Sequence, residues 1–565
     1  MRTKNAIRNS MLWSAYGDAL GFITEFCSKS GLERRTGGIR HIDKLFEWNR
    51  RIGGQYGINV ELPIGSYSDD TQLRLATCRS ISGDGFFDVE TFSKVELPVW
   101  LSYSLGAGRG TKTAAESLRK RQIQWNSNFF QSNYSRYTDG GGNGAAMRIQ
   151  PHVWAAQTNQ KDAEILKNIV RNAVVTHGHS RAIVGAAFHG LSLLHTLKRL
   201  NIPDPPAWFG ILEELKILPD VIMSDEELGY YWLPNWEKET HTSINDAINK
   251  CLDELKKDIS SAEKALVNCN ASSNNEMYRN LVKEIGCFEK SSVGSGTKTA
   301  VLALYISYAF RNNPHHGLVT AANLLGSDTD TIATMAGAIM GTTISEEPPE
   351  QVADMKYLTN EAERLFAISN GKNVESQAYP DMLYWEPPQT QLDVIGKYKD
   401  KWVIQGLGEA TPGDIVGKKR GRDSTVWQWF HLEFGQSVII KRRHIPKVVK
   451  EENLPVKNVS ISAQNELGIG RQYRVTTDQT KAVGRQKELW QREDAEIHKK
   501  ERMNQSEGTI TIDVATNMCI QSDFEKSVVG EMLMRLSEQE DGIEKAIGFA
   551  AIIAKAKQVR MKKAK

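Results

Sequence analysis

The sequence predicts an all-α first domain, reaching to about residue 370, followed by a smaller carboxyl-terminal region of the α+β class. Apolar residues recur three and four positions apart through the first part, which is the period of a helix with one buried face. The run 384–388 ends with Pro387 and Pro388 and cannot continue a helix. After it, apolar and polar residues alternate, as in half-buried strands.

Within the first domain, 1–370, amphipathic helices are clearest at residues 182–197, 244–255 and 299–310, each of which is apolar along one face. Short glycine-rich loops separate such segments and predict turns between packed helices. The segment at about 203–287 is acidic and helical but carries no chemical motif. We interpret it as an insertion or an outer helical layer.

The carboxyl-terminal region divides into two predicted segments. Residues 381–447 form a small β-rich module, because alternating segments are separated by Gly- and Pro-containing turn signals. Residues 448–565 comprise a polar linker and a helical, basic end. We expect the last helix to pack against its own domain through one apolar face, rather than to lie on a membrane or a partner. The residues of that face are Ile543, Ile547, Ala550 and Ala554.

Composition places the chain among soluble globular proteins, with 40% hydrophobic and 25% charged residues. A net charge of +3 over 565 residues indicates neither a nucleic-acid binder nor an acidic solvating protein. Six scattered cysteines without a Cys-x-x-Cys pair predict reduced, mostly buried thiols rather than zinc or a disulfide framework. Without a signal-peptide core or about eighteen consecutive apolar residues, the sequence predicts a cytoplasmic protein with no transmembrane segment.

Two acidic clusters stand where helical spacing begins. Asp69 and Asp70 follow Ser68, and Asp328 and Asp330 alternate with threonines. At a helix amino terminus the dipole and free N–H groups are expected to lower a carboxylate pKa. Carboxylates and hydroxyls without nearby cysteine suit magnesium or manganese, and two ions could be accommodated.

Simple helix capping is the alternative for each acidic cluster, since Ser, Thr and Asp are the preferred residues at helix starts. Two doubled clusters favour a metal. Adjacent like charges, as in Asp69-Asp70, add a repulsion that a cap does not need and that a cation relieves.

Five motifs in order make the sequence resemble the ADP-ribosylglycohydrolases over most of residues 1–370. They are Gly17-Asp18-Ala19-Leu20-Gly21 with Glu25, Ser68-Asp69-Asp70-Thr71, Gly142-Asn143-Gly144-Ala145-Ala146-Met147-Arg148, Thr176-His177-Gly178-His179 and Asp328-Thr329-Asp330-Thr331. The resemblance implies an orthogonal all-α domain with two magnesium ions, for which manganese can substitute. The implied metal ligands are Ser68, Asp69, Asp70, Asp328, Asp330 and Thr331.

The chain departs from the family pattern at two of these places. Ser68 stands where threonine is common, and Ser327 stands where a second glycine is common. Serine keeps the hydroxyl ligand, so we expect metal binding to survive.

The resemblance also implies roles for residues that would otherwise be ordinary. Glu25, next to the metals on a movable loop, is a candidate for activating water or for gating entry, and Asp69 and Asp70 complete the implied catalytic set. Which carboxylate acts as the base stays open. A lone His or a Gly-rich loop is by itself more often structural. The implied ADP-ribose contacts are Gly142, Asn143, Gly144, Ala145, Met147, Arg148 and His177.

These implications predict a magnesium-dependent hydrolase that removes ADP-ribose from an ADP-ribosylated protein, with arginine as the expected linkage. Two alternatives stay open. One is a non-catalytic protein that binds ADP-ribose or an ADP-ribosylated partner, and the other is a hydrolase of ADP-ribosylated nucleic acid.

The carboxyl-terminal region carries basic runs at 418–422 and 441–443 with Trp427, Trp429 and Phe430 between them. They could bind a nucleic acid or a protein partner, or form a solvated hairpin over a β core. Two glycine-containing segments, 106–110 and 294–299, lack the spacing of nucleotide-binding loops. We interpret the former as a flexible turn.

Overall fold

The computed structural model describes residues 3–54, 57–133, 135–267, 273–419, 425–456, 510–522, 524–539 and 542–563. They fall into two compact units, Met1–Lys457 and Asn458–Lys565. The helical part and the sheet both lie in the first unit, and Ile404 and Phe430 of the sheet belong to the same buried apolar cluster as the helices. The module boundaries at residues 370, 381 and 448 stay predictions.

The first unit is mainly helical, as predicted. The expected helices at 182–197 and 244–255 lie within the helices Ser180–Arg199 and Ile244–Val267. The one expected at 299–310 corresponds to Gly296–Ala309, which ends one residue earlier. The α-helices before residue 200 are α1 (Lys4–Thr24), α2 (Lys29–Thr36), α3 (Asp69–Arg79), α4 (Val89–Thr91), α5 (Leu97–Trp100), α6 (Arg109–Leu118), α7 (Gln150–Trp154), α8 (Asp162–Val174) and α9 (Ser180–Arg199). Those that follow are α10 (Pro205–Glu214), α11 (Leu218–Ser224), α12 (Leu233–Thr240), α13 (Ile244–Val267), α14 (Asn274–Glu284), α15 (Gly296–Ala309), α16 (Pro314–Ala322), α17 (Thr329–Gly341) and α18 (Met355–Ser369).

A β-hairpin interrupts the helical part, which the sequence analysis missed. Its strands, β1 (Trp48–Ile52) and β2 (Ile58–Leu62), pair antiparallel with Arg50 opposite Val60. The period-2 signal of β1 is weak because Asn49, Arg50 and Arg51 are consecutive polar residues, whereas Ile58, Val60 and Leu62 of β2 alternate with polar residues and were the available signal.

The predicted β-rich segment forms a six-stranded sheet in the order β7-β6-β5-β4-β3-β8. Neighbouring strands are antiparallel except β3 and β8, which are parallel. The strands are β3 (Ile395–Tyr398), β4 (Lys401–Ile404), β5 (Gly408–Lys419), β6 (Thr425–Leu432), β7 (Ser437–Arg443) and β8 (Lys447–Val448).

Some aromatic and basic residues of this sheet pack within it. Phe430 is fully buried, and the Arg442 guanidinium lies 4.7 Å from the centre of the Trp402 ring. The basic run 420–422 lies outside the described residues. The proposed nucleic-acid or protein partner of this region therefore stays a prediction.

Helices α1 and α17 pack with their backbones in close contact at the centre of the first unit. A Cβ added at Gly21 would clash with the backbone of Thr329 and Asp330, and one at Gly17 would clash with Ala333. Only glycine allows this approach. The start of α17 is thereby held against the end of α1.

The second unit contains α19 (Ile512–Gln521), α20 (Lys526–Ser537) and α21 (Gly542–Lys563). A helix over the predicted last segment is confirmed, but the predicted packing face is wrong. Ile543 and Ile547 are exposed, whereas Phe549 and Ile553 join the small core of this unit. The larger Phe549 ring buries more apolar area than the two alanines of the expected face.

The expectations for the cysteines and for membrane-spanning helices can be compared with the described residues. The described cysteines are free and buried, while Cys269 lies outside the described residues. None of the helices described has the length and apolar character needed to span a bilayer.

Candidate functional site

The two acidic clusters begin helices, as predicted, and the fold brings these helix starts together. Ser68 caps α3 by accepting a hydrogen bond from the Asp70 N–H at 3.1 Å, and Asp328 precedes α17. The Thr331 hydroxyl donates to Asp70 Oδ1 at 3.5 Å, the outer limit of a hydrogen bond. Ser68, Asp69, Asp70, Asp328, Asp330 and Thr331 are all buried.

Asp18 of α1 orients the start of α3, a role that the sequence analysis missed. Its carboxylate accepts hydrogen bonds from the N–H groups of Ser68 and Thr71 at 3.0 and 2.9 Å and from the Thr71 hydroxyl at 2.5 Å. An acid on a helix whose neighbours are almost all apolar or small was the available signal.

The predicted lowering of the carboxylate pKa values is wrong for this site without a cation. Burial raises the pKa values of Asp69, Asp70 and Asp330, and mutual repulsion raises them further. The first amides of α3 do not offset this, since they donate to Asp18, to Ser68 and to the Leu105 carbonyl.

This donor set fits a hard cation. It offers only oxygen atoms, and Asp70 Oδ2 is buried with no hydrogen-bond partner in the described part of the chain. A divalent ion would relieve the repulsion that raises the pKa values. Among the described residues, however, no group of three or more His, Cys, Asp or Glu side chains is already arranged to hold an ion. The metal therefore stays a prediction.

Glu25 lies at the end of α1, next to the acidic cluster. It is 5% exposed, and its Oε2 pairs with Arg50 Nη2 at 2.8 Å. Burial raises its pKa above the usual range, with Arg50 opposing and Asp328 adding to the shift. The charge of Glu25 in turn raises the pKa values of Asp69 and Asp330.

The Gly-rich loop is joined to Asp328 by Asn143. The Asn143 side-chain amide donates to Asp328 Oδ2 at 2.8 Å and to Thr299 Oγ1 at 3.1 Å. Its backbone N–H donates to the Gly294 carbonyl, and Gly142 forms a bridge with Ser295. The segment 294–299, which lacks the spacing of a nucleotide-binding loop, thus supports the Gly-rich loop.

His177 lies directly against this loop. A Cβ at Gly144 would come within 2.9 Å of His177 Cε1, so the loop and the ring are in close contact. Burial, assisted by the Arg148 charge, lowers the pKa of His177 to about 3. The imidazole is therefore uncharged at neutral pH.

Arg148 and Thr176 orient the imidazole ring of His177. Arg148 donates to Thr176 Oγ1 at 2.8 Å, and that hydroxyl lies 2.7 Å from His177 Nδ1. The Thr176 hydroxyl can donate to Nδ1 in the tautomer that carries a hydrogen on Nε2, and it can accept from Nδ1–H in the other tautomer. The other Arg148 donors bind Asn172 and the Gly144 carbonyl. Arg148 therefore connects the Gly144 carbonyl to Asn172, and Ala145 and Met147 are buried.

Gly106 also belongs to the site, although its segment was interpreted as a flexible turn. It has a φ of 94°, and a Cβ there would lie 2.8 Å from Asp69 Oδ1. Glycine is therefore required both by the backbone and by the carboxylate. The Leu105 carbonyl accepts from the Asp69 N–H at 2.7 Å, so this turn fixes the start of α3.

The first unit is thus a mainly helical domain in which buried carboxylates at two meeting helix starts lie beside a glycine-rich loop and a neutral histidine. The family model described as ADP-ribosylglycohydrolase matches residues 1–372, and the chain belongs to this family.

Two similar proteins illustrate the relationship. An ADP-ribosyl-dinitrogen reductase glycohydrolase from Rhodospirillum rubrum is 29% identical over 172 residues, which are 30% of this chain and 50% of the relative. The match thus spans half the length of that relative. A solved structure described as an ADP-ribosylglycohydrolase-related protein complex is 18% identical with a TM-score of 0.40, covering 65% of this chain and 98% of that chain.

Proposed function

We propose that this protein is a magnesium-dependent hydrolase that releases ADP-ribose from a modified protein side chain, with arginine as the expected linkage. The observation that carries the proposal is the buried set of mutually repelling carboxylates at the starts of α3 and α17, where one carboxylate oxygen of Asp70 has no hydrogen-bond partner among the described residues. Family membership and the name of the relative support the reaction class.

The residues around the carboxylates suit the parts of such a substrate. A bound magnesium or manganese ion would hold substrate hydroxyls and activate water. Asn143 orients Asp328, and in the tautomer that carries a hydrogen on Nε2, His177 can donate to a phosphate oxygen. Glu25 is buried beside the acidic cluster, where a carboxylate can take a proton from water or stabilise positive charge on the ribose.

The decisive measurement is release of free ADP-ribose from ADP-ribosylarginine with magnesium, with manganese and with a chelator. Asp69→Asn and Asp70→Asn preserve shape but remove charge, and we expect each to lower turnover by about a hundredfold or more, since metal-held charge contributes several kcal/mol. Asp400→Asn is the matched control, because this exposed residue has a φ of 65°, which asparagine adopts readily.

Thermal unfolding gives a second readout that is independent of turnover. Magnesium should raise the melting temperature of the unaltered protein and of Asp400→Asn, but not of Asp69→Asn or Asp70→Asn. Release from serine-linked or nucleic-acid-linked ADP-ribose alone would replace the arginine assignment. Magnesium and ADP-ribose binding without release from any of these substrates would instead identify a non-catalytic binding protein.

A further inference from the structure

Two arginines hold Glu25 in place, one by its side chain and one by its backbone. Arg50 of β1 pairs with the carboxylate at 2.8 Å. Arg35 of α2 donates to the Glu25 carbonyl at 2.9 Å and to the Ile23 carbonyl at 3.0 Å. The next residue, Phe26, has a φ of 50°, so the chain turns sharply at this point. The position of the Glu25 carboxylate therefore depends on Arg50 and Arg35.

Arg50 is itself fixed by aromatic packing between the hairpin and α1. Its guanidinium lies 4.1 Å from the centre of the Phe22 ring, and Trp48 of the same strand packs edge-on against Phe22 at 5.1 Å. Arg35 lies 5.6 Å from the Trp48 ring centre. A shift of the hairpin would therefore move both groups that hold Glu25.

The hairpin in turn packs against the six-stranded sheet. The Ile58 side chain fills the space where a Cβ of Gly417 in β5 would stand. In the hairpin turn directly after β1, a Cβ at Gly53 would lie 2.6 Å from Cζ2 of Trp427 in β6. Ile58 of β2 pairs with Ile52 of β1, and Ile52 is two positions from Arg50 in β1. These contacts connect the sheet, which lies beyond the matched residues 1–372, to the Glu25 anchor.

We propose that the six-stranded sheet is a positioning element of the hydrolytic site, because it holds the β1–β2 hairpin and, through Arg50, fixes the Glu25 carboxylate beside Asp69 and Asp330. Arg50 and Trp427 are positioning residues, since they act through Glu25. The inference rests on the proposed hydrolytic function. It gives the carboxyl-terminal sheet a role in turnover rather than in recruiting a partner.

The test uses the full chain and removes the sheet–hairpin contact from either side, with Trp427→Ala and Ile58→Ala. Trp402→Ala is the matched control, since Trp402 is also half-buried in the sheet but contacts Phe430, Lys397 and Arg442. Arg50→Ala and Arg50→Lys test the connecting ion pair. Each sheet or hairpin variant is also made in a Glu25→Gln background. The readouts are kcat, KM and hydrogen exchange at the Glu25 and Cys27 amides, which donate to the Gly21 and Thr24 carbonyls.

We expect Trp427→Ala, Ile58→Ala and Arg50→Ala each to lower kcat roughly tenfold or more with KM little changed, because small displacements of a reacting group are costly. Arg50→Lys should recover much of the loss. In the Glu25→Gln background the same changes should have almost no further effect on kcat. Exchange at the two amides should quicken in Trp427→Ala but not in Trp402→Ala.

Equal effects of Trp427→Ala and Trp402→Ala on kcat and exchange would overturn the inference, as would additive losses in the Glu25→Gln background. If the unaltered protein releases no ADP-ribose from any substrate, the proposed function fails. The exchange measurement then decides the connection alone, since it does not require turnover.

Discussion

The starts of α3 and α17 carry similar acidic motifs but are held by different means. Hydrogen bonds hold the start of α3, because Asp18, Ser68 and the Leu105 carbonyl accept from its first backbone amides. At α17, Asp328 makes no side-chain cap, and Thr331 N–H donates to the neighbouring Asp330 carboxylate at 2.9 Å. Close backbone packing against Gly21 positions this start, together with the Thr329 hydroxyl, which donates to the Gly21 carbonyl at 3.0 Å.

Similar acidic helix starts can therefore be held in place in two different ways. A helix start held by a buried carboxylate should be sensitive to loss of that acceptor. A helix start held by backbone contact should be sensitive to added volume and less sensitive to loss of a single hydrogen bond. Three substitutions test these expectations, in order of decreasing expected effect.

Asp18→Ala should destabilise the protein most, by about 4 kcal/mol, since it leaves three buried donors at the start of α3 without an acceptor. Arg74 also loses part of the negative charge that favours its protonated form. Chemical denaturation measures the free energy of unfolding. Asp18→Asn keeps one acceptor oxygen and should lose clearly less. A loss for Asp18→Ala no larger than that of the variants below would contradict the hydrogen-bonded account of α3.

The sequence predicted the helical character, the strands after residue 395 and both acidic helix starts, because each depends on local periodicity and capping residues. It could not predict that Asp18 serves α3 or that Gly106 lies against Asp69, since these contacts join segments distant along the chain. The predicted direction of the carboxylate pKa shifts was wrong for the same reason. Helix-start reasoning includes the dipole but not the burial and neighbouring charges that the fold supplies.

Gly21→Ala should cost about 2 to 3 kcal/mol, because a methyl group there would lie within 2.5 Å of the Asp330 backbone nitrogen and force α1 and α17 apart. Gly210→Ala is the matched control. It also lies inside a helix, but an added Cβ meets nothing within 4 Å, so better helix propensity should stabilise it by up to about 1 kcal/mol. Thermal unfolding of both variants measures the difference. Equal stability of the two would show that backbone contact does not hold the start of α17.

Asn143→Ala should have the smallest effect on folding, about 1 to 2 kcal/mol, because it removes one donor from Asp328 while α17 keeps its contact with α1. The double variant Asp18→Ala/Asn143→Ala tests whether the two helix starts are held independently. If the two helix starts are held independently, the losses measured by chemical denaturation should add to within about 0.5 kcal/mol. A coupling well above that value would mean that the acidic cluster acts as one cooperative network, in which a cation bound at one helix start would stabilise the other.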